Sequence, residues 1–326
     1  MKMRLAVGVL MALMLGNGPL AAQGTADTFP NRPVRIIVPF PAGGTADVLP
    51  RLLGDWLSRK WNQPVVIENR TGAGGNIGAE AVFNSEPDGY TLMATPPSPL
   101  AVNQSLYPRP NFDPAQFVPI TVMARVPNAL VVNPKLAVKD LGEFVAYVKA
   151  NPDKLTYASQ GNGTTSHLTA EMFKLMAPAK LVHAPYRGSA PALQDLVAGN
   201  IEVMFDNLGV SLSLVRGGQL RLLAVGAEKR VASLPDVPTI AEALPGFASV
   251  TWFAVAAPPK TPKPIADKLS ADFAEALKQP EIQRRMADLS AEAVGGTPEE
   301  TGKFLQAEIV RWRDVIQKAG ITMDGK

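Results

Sequence analysis

Residues 34–47 of the chain read VRIIVPFPAGGTAD. The first five are mostly β-branched and apolar, which predicts a buried β-strand at 34–38. Two glycines then lead into an amphipathic stretch, so we expect a tight turn followed by a helix at about 48–60. Glycines let backbone N–H groups approach a ligand closely, and a helix start adds unpaired N–H donors. The turn is therefore a candidate site for a carboxylate, sulfate or phosphate, or else a simple connection capped by Thr45 or Asp47.

Pro50 limits where this helix can begin. A proline inside a helix loses a backbone hydrogen bond and clashes with the preceding turn, whereas the first turn of a helix tolerates it. We therefore expect Asp47 to be the N-cap and the helix to begin near Val48.

A similar turn recurs in the second half of the chain. Residues 161–167 read GNGTTSH and stand between a predicted strand at 155–159 and a predicted helix. The residues expected on the apolar side of that helix are Leu168, Met172, Phe173, Leu175 and Met176. Two anion-suited turns, one in each half of the chain, favour a binding role more than either turn alone.

Short apolar runs alternate with amphipathic stretches, a pattern typical of βαβ units around a largely parallel sheet. Further strands are predicted at 65–68, 90–94, 181–183, 201–205, 220–225 and 250–256, and further helices at 76–84, 98–106, 141–150, 191–198, 265–279, 281–289 and 298–319. The apolar segments 117–133 and 251–256 can cross between two α/β units. We therefore predict an α/β fold of two lobes joined by crossing strands, with a ligand cleft between them. The predicted lobe 1 comprises residues 23–124 and 249–326, and lobe 2 comprises residues 125–248.

Composition narrows the range of functions. The chain has 326 residues, of which 46% are hydrophobic and 19% are charged, as in ordinary globular proteins. A formal net charge of +3 argues against nucleic acid as a partner. The sequence has no cysteine, which excludes disulfides and thiolate nucleophiles. With only two histidines, no Walker A motif and no nucleophile elbow, we expect no catalytic set, no metal site and no cofactor.

The N-terminus has the three regions of a secretory signal peptide. Lys2 and Arg4 precede an apolar run at 5–15, and small residues follow up to Ala22. The apolar run is shorter than the roughly 20 residues that span a bilayer, which disfavours the alternative of a retained membrane anchor. We predict a signal peptide at residues 1–22 and a periplasmic mature protein.

Polar residues after other predicted strands complete the candidate site. Thr164 and Thr165 offer uncharged hydroxyl donors, which suit an anion that must later leave. The segment 186–189 follows a third predicted strand and can add a hydroxyl, a guanidinium or backbone donors. We expect Arg187 to be a surface residue and favour Tyr186 and Gly188 as the contacts. Asp206 either accepts a hydrogen bond from an amino or protonated group on the ligand or orients hydroxyl side chains nearby.

Several segments, in this order, resemble one known family. They read RPVRIIVPF at 32–40, ENRTGAGGNIG at 68–78, DGYTL at 88–92, PYRG at 185–188 and LPDVPT at 234–239. As a set they are similar to the Bug-type solute receptors, the extracytoplasmic binding proteins of tripartite tricarboxylate transporters. The resemblance implies a type II periplasmic-binding-protein fold that closes on a small organic acid and delivers it to membrane permease subunits. We expect a monomer without a cofactor.

The resemblance also implies which residues contact the ligand. In the family, the first turn holds one carboxylate partly through ordered waters, and the Gly/Thr turn of the other lobe supplies further contacts. Ser98 matches a third contributing position. The complete set of candidate ligand-binding residues is Phe40, Ala42, Gly43, Gly44, Thr45, Asp47, Ser98, Gly161, Thr164, Thr165, His167, Tyr186, Gly188 and Asp206.

Two other functions remain open at this point. The same fold can present its ligand to a sensor kinase instead of a permease. An exported hydrolase or transferase can use glycine turns to hold a substrate phosphate. The sequence does not identify the solute, although the scarcity of aromatic residues, at 6%, favours aliphatic acids slightly.

Overall fold

A computed structural model describes residues 28–107 and 111–322. The predicted signal peptide at 1–22 lies outside the described residues. Within them, no helix combines the length and the apolar character needed to cross a membrane.

Strands and helices alternate along most of the described chain. Its strands are β1 (Val34–Val38), β2 (Val65–Asn69), β3 (Thr91–Thr95), β4 (Val118–Val132), β5 (Thr156–Ser159), β6 (Val182–Pro185), β7 (Val203–Asn207), β8 (Arg221–Val225), β9 (Val250–Ala257) and β10 (Glu292–Gly295). Its α-helices are α1 (Thr45–Trp61), α2 (Asn76–Phe83), α3 (Asn103–Leu106), α4 (Leu141–Ala150), α5 (Thr165–Met176), α6 (Ser189–Ala198), α7 (Leu208–Arg216), α8 (Lys263–Leu277), α9 (Pro280–Asp288) and α10 (Pro298–Ala319). A π-helical stretch, Ser98–Val102, precedes α3.

The strands lie in the order β2-β1-β3-β9-β4-β7-β5-β6, with β10 and β8 also paired to β4. We call β2, β1, β3, β9 and β10 the first subsheet, and β7, β5, β6 and β8 the second subsheet. The long strand β4 belongs to both, because residues 118–127 pair with β9 and residues 128–132 pair with β7 and β8. The predicted two-lobe α/β fold joined by crossing strands is confirmed.

Each subsheet is covered by helices on both faces. Strand β1 shows this clearly, since Ile36 and Ile37 point to opposite faces and both are completely buried. Ile36 belongs to a core with Leu53 of α1, and Ile37 belongs to another core with Trp312 of α10. Parallel strands buried on both faces are typical of doubly covered α/β sheets, and they leave the strand ends as the free edge for binding.

The start of α1 differs from the prediction. The helix begins at Thr45 and not near Val48, because the Gly44 carbonyl already accepts hydrogen bonds from the N–H groups of Asp47 and Val48. The N-cap is therefore Gly44, and the prediction that Asp47 is the N-cap is wrong. Pro50 consequently lies in the second turn of the helix.

Three local features escaped the sequence patterns. Strand β10 and helix α7 were not expected. Leu175, expected on the apolar side of α5, is 55% exposed. The predicted residues Leu168 and Phe173 are buried, together with Ala170, whereas Leu175 lies about 200° around the helix from Phe173.

Candidate functional site

Turns that follow the strands of the two subsheets meet in space. We call residues 41–44 the first glycine turn and residues 161–164 the second glycine turn. A Cβ placed on Gly44 would lie 3.8 Å from Ser189 Oγ, and one on Gly188 would lie 3.1 Å from Pro41 Cγ. The first glycine turn therefore abuts the start of α6, which belongs to the other subsheet.

The second glycine turn, which follows β5 of the second subsheet, contacts a segment that follows β3 of the first subsheet. Ser98 Oγ donates a hydrogen bond to the Gly163 carbonyl at 3.2 Å. Gly163 has φ of +75°, and an added Cβ would lie 2.8 Å from Leu106 Cδ1, so a side chain at this position would be strained. Ser98, chosen from the sequence as a ligand contact, thus joins the two subsheets.

A cavity of about 550 Å³ lies between the subsheets and is lined from both. Five sequence candidates line it: Phe40, Gly161, Thr164, Tyr186 and Gly188. The other candidates are not among its lining residues: Ala42, Gly43, Gly44, Thr45, Asp47, Ser98, Thr165, His167 and Asp206. We call this space the cleft cavity.

Asp47 organises the first glycine turn. Its Oδ2 accepts a hydrogen bond from Gly43 N at 3.0 Å, and its Oδ1 accepts one from Asn69 Nδ2 at 2.8 Å. Arg51 Nε lies 3.0 Å from both carboxylate oxygens. Burial alone would raise the pKa of Asp47, but the hydrogen bonds from Arg51, Gly43 and Asn69 lower it overall. The Gly43 N–H is therefore already paired with a carboxylate of the protein.

Thr45, at the first position of α1, has a polar atom without a partner. The side chain is only 2% exposed, and its Oγ1 forms no hydrogen bond with any residue that the structure describes. A buried hydroxyl without a partner is costly, which makes this atom a candidate for contact with a ligand or bound water. Ala42 and Gly43, by contrast, are exposed.

Two threonines of the second glycine turn and α5 already form hydrogen bonds within the protein. Thr164 is the N-cap of α5, where its Oγ1 accepts from His167 N and donates to the Gly161 carbonyl. Thr165 Oγ1 lies 2.7 Å from Thr251 Oγ1 on β9. Their predicted donation to a ligand stays a prediction, although Thr164 does line the cavity.

His167 lies in a buried stack of rings behind the second glycine turn. Its ring centroid is 4.3 Å from that of His183, which in turn is 4.7 Å from that of Tyr157. His167 Nδ1 accepts a hydrogen bond from Gly163 N at 3.2 Å. Burial lowers the pKa of His167 to about 4, and burial together with a charge on His167 lowers the pKa of His183 to about 3. Both rings are therefore neutral near pH 7.

Asp206, at the end of β7, is completely buried. Its Oδ1 accepts hydrogen bonds from Gln160 Nε2 at 2.7 Å and from Ser189 Oγ at 3.2 Å. Its Oδ2 has no partner among residues 28–107 and 111–322. Burial raises the pKa of Asp206 to about 6. Of the two roles that the sequence left open for this carboxylate, orientation of neighbouring side chains is the one visible here.

The hydroxyl of Tyr186 is also committed within the protein. It donates to Asp195 Oδ2 at 2.6 Å, which leaves the ring as the part that borders the cavity. Gly188 donates its backbone N–H to the Gln160 carbonyl and serves as the N-cap of α6 with φ of +99°. A side chain at Gly188 would therefore be strained as well as pressed against Pro41.

Several cavity residues were not among the sequence candidates, including Tyr107, Gln160 and Arg187, an exposed arginine that the sequence had favoured as a surface residue only. Tyr107 places its hydroxyl against Gly74, where an added Cβ would lie 2.6 Å away, and no described residue forms a hydrogen bond with it. Gln160 lines the cavity just after β5. Gln160 adjoins the second glycine turn, which is a usable signal, whereas Tyr107 belongs to no motif. Among the described residues, no group of His, Asp or Glu could hold a metal ion.

Comparisons with known proteins agree on one family. The sequence model described as "Tripartite tricarboxylate transporter family receptor" matches residues 49–321. The protein BugT of Bordetella pertussis is 38% identical over 314 residues, which cover 95% of this chain and 96% of BugT.

Solved structures are similar over most of the chain. The R. palustris protein Rpa4515, solved with adipate, superposes with a TM-score of 0.88 at 39% identity and covers 90% of this chain and 100% of its own. MatC from Rhodopseudomonas palustris, solved with bound malate, gives a TM-score of 0.83 at 34% identity, covering 88% of this chain and 100% of its own.

Proposed function

The chain belongs to the family of tripartite tricarboxylate transporter receptors, which are solute receptors and not enzymes, and from this premise we propose that it captures a small organic carboxylate in the cleft cavity. We further propose that it delivers the carboxylate to permease subunits of a transporter of that type. Relatives solved with adipate and malate support a carboxylate as the ligand.

The observation that carries this proposal is the convergence of helix N-termini on one cavity. The N-caps of α5 and α6, Thr164 and Gly188, line the cleft cavity, and the N-cap of α1, Gly44, lies against Ser189 beside it. Each helix start carries unpaired N–H groups and a partial positive charge. Three such ends attract an anion. Arg187, which also lines the cavity, can add a full positive charge.

We propose that side-chain hydroxyls and backbone N–H groups around the cleft cavity together bind the carboxylate. The Thr45 and Tyr107 hydroxyls have no hydrogen-bond partner in the described chain and would donate to the carboxylate. Backbone N–H groups at the second glycine turn and at the start of α6 would complete the site. Asp47 would act indirectly, by holding the first glycine turn in shape.

The location of the protein follows from the same premise. We propose that residues 1–22 direct export and that the mature receptor works in the periplasm as a monomer. Its first lobe would comprise residues 23–124 and 249–326, and its second lobe residues 125–248. The lobes would close on the ligand by rotation about β4, the strand that belongs to both subsheets. Solution scattering should then show a smaller radius of gyration when ligand is saturating.

A carboxylate screen tests the proposal. The purified chain is titrated by calorimetry with aliphatic dicarboxylates, tricarboxylates, hydroxy acids and amino acids, and thermal unfolding is followed in parallel. A ligand that binds only the folded state raises the unfolding temperature by mass action. Stoichiometric binding of one carboxylate class, without product formation, supports the receptor. Turnover of a phosphorylated or ester substrate without binding of any carboxylate would contradict it.

A further inference from the structure

Gln160 follows β5 and faces the cleft cavity. Its side-chain amide has two donor hydrogens on Nε2 and an acceptor, Oε1, on the opposite side of the group. If Nε2 faces the cavity, a ligand acceptor can lie against it, and if Oε1 faces the cavity, a ligand donor can. The hydrogen bonds around Gln160 determine which of the two atoms faces the cavity.

Both donor hydrogens are directed into the protein. Gln160 Nε2 lies 2.7 Å from Asp206 Oδ1 and 3.2 Å from Asn207 Oδ1. Asp206 Oδ1 can only accept, whether the carboxylate is ionised or carries a proton on its unpartnered Oδ2. The amide nitrogen therefore has to face Asp206.

Asn207 independently fixes the same orientation. Its Nδ2 donates to Asn128 Oδ1 at 3.0 Å and to Thr251 Oγ1 at 2.8 Å, deep between β4, β7 and β9. Because the nitrogen of Asn207 is occupied there, its Oδ1 is left as an acceptor for Gln160. The opposite orientation of the Gln160 amide would place its Oε1 against Asp206 Oδ1 and Asn207 Oδ1, with no hydrogen atom between these oxygens.

The remaining polar atom of the Gln160 side chain is Oε1. No residue that the structure describes donates a hydrogen bond to it, and the side chain is only half-buried. Water can satisfy this oxygen before a ligand binds, and a donor on the ligand can satisfy it once the water is displaced. A purely anionic ligand would leave the oxygen without a partner and facing negative charge, at a cost in affinity.

We propose, on the basis of the proposed function, that Gln160 Oε1 is a specificity determinant that selects carboxylates bearing a hydrogen-bond donor next to a carboxylate group. The donor is a hydroxyl or an ammonium group, and the ligand class is that of 2-hydroxy or 2-amino dicarboxylic acids. Gln160 adjoins the second glycine turn, so the donor-bearing carbon lies beside the carboxylate held by α5 and α6. Asp206 and Asn207 act as positioning residues for the amide.

Ligands that differ in a single group test this proposal. Succinate is compared with malate and aspartate, and adipate with 2-hydroxyadipate and 2-aminoadipate, by calorimetric titration of the full chain. The wild type should bind the substituted acid of the preferred length about tenfold more tightly than the plain acid. Comparison of the affinities for the hydroxy acids and for the amino acids shows whether the ligand donor is a hydroxyl or an ammonium group.

A Gln160→Met variant separates specificity from stability. Methionine keeps the length of the side chain but has neither the oxygen nor the N–H donors, so the ratio between the affinities for the substituted and the plain acid should fall to about one, whatever the absolute affinity. Gln219→Met, at an exposed position remote from the cavity, should keep the preference. Thermal unfolding verifies that each variant is folded.

The possible outcomes separate the two proposals. Equal affinity of the wild type for plain and substituted acids overturns the role of Gln160, as does an unchanged preference in Gln160→Met. If Gln160→Met does not fold, the wild-type affinity ratio alone decides. If the wild type binds no carboxylate of either length, the proposed function itself fails.

Discussion

The Oδ2 atom of Asp47 accepts a hydrogen bond from the backbone N–H of Gly43 at 3.0 Å. A carboxylate of the protein thus occupies a donor that the sequence had suggested for the ligand. Together with Arg51 and Asn69, this bond fixes a turn in which Gly43 has φ of +87°. The first glycine turn is therefore shaped in advance, and the ligand has to use other donors nearby.

Asp47→Asn should destabilise the protein. The amide keeps the shape but cannot accept from Gly43, Asn69 and Arg51 together, so the free energy of unfolding should fall by about 1–3 kcal/mol. Urea unfolding at pH 7 measures the change. Asp55→Asn, at an exposed position of the same helix, is the control and should change stability by less than about 0.5 kcal/mol. Equal effects of the two substitutions would show that Asp47 does not hold the turn.

Tyr107→Phe should weaken ligand binding without unfolding the protein. Its hydroxyl has no partner among the described residues, whereas that of Tyr186 already donates to Asp195. Loss of one donor to a carboxylate should reduce affinity by about 5- to 20-fold, and Tyr186→Phe should change it by less than about twofold. Calorimetric titration of both variants with one carboxylate provides the test, and the reverse ranking would remove Tyr107 from the site.

His167 and His183 should make the protein sensitive to acid. Their pKa values in the fold, about 4 and about 3, are lower than in the unfolded chain, so their stabilising contribution is present above pH 6.5 and is lost as the pH falls. His167 alone should account for a loss of up to roughly 3 kcal/mol by pH 4. Urea unfolding between pH 7 and pH 4 should show this slope, and His183→Phe, which keeps a ring in the stack, should reduce it. A slope that is the same in both proteins would contradict the assignment.

The titration of Asp206 should have the opposite effect on folding stability from that of the two histidines. Its pKa of about 6 is higher than in the unfolded chain, so the native state binds a proton more readily and gains stability as the pH falls from 6 towards 4. Asp206→Asn removes this gain. The wild type should therefore become more stable relative to the variant by roughly 2 kcal/mol between pH 7 and pH 4. A difference that is constant with pH would show that Asp206 does not titrate in this range.

The alternation of strands and helices could be predicted because burial imposes it on the sequence. Strand β1 and helices α4 and α10 have the predicted bounds, since each is framed by clear apolar periodicity and by turn or capping residues. Strand β10 was missed because its four residues pair at the edge of β4 and only alternate between exposed and half-buried positions. Such a short edge strand is stabilised by its partner and carries little signal of its own.

The position of the site could be predicted, but its hydrogen bonds could not. Glycine turns after strands mark the place where backbone approaches a ligand, and those turns do meet at the cleft cavity. Sequence patterns do not show which donor pairs with which acceptor. For this reason the engaged hydroxyl of Thr165 and the available hydroxyl of Tyr107 became visible only in three dimensions.

Carboxylate binding in the cleft cavity is tested most directly by a crystal structure of the protein grown with its tightest-binding dicarboxylate. Electron density for the ligand is expected in the cleft cavity, with one carboxylate at the starts of α5 and α6 and within hydrogen-bond distance of the Thr45 or Tyr107 hydroxyl. Density at another surface, with the cleft cavity holding only water, would contradict it.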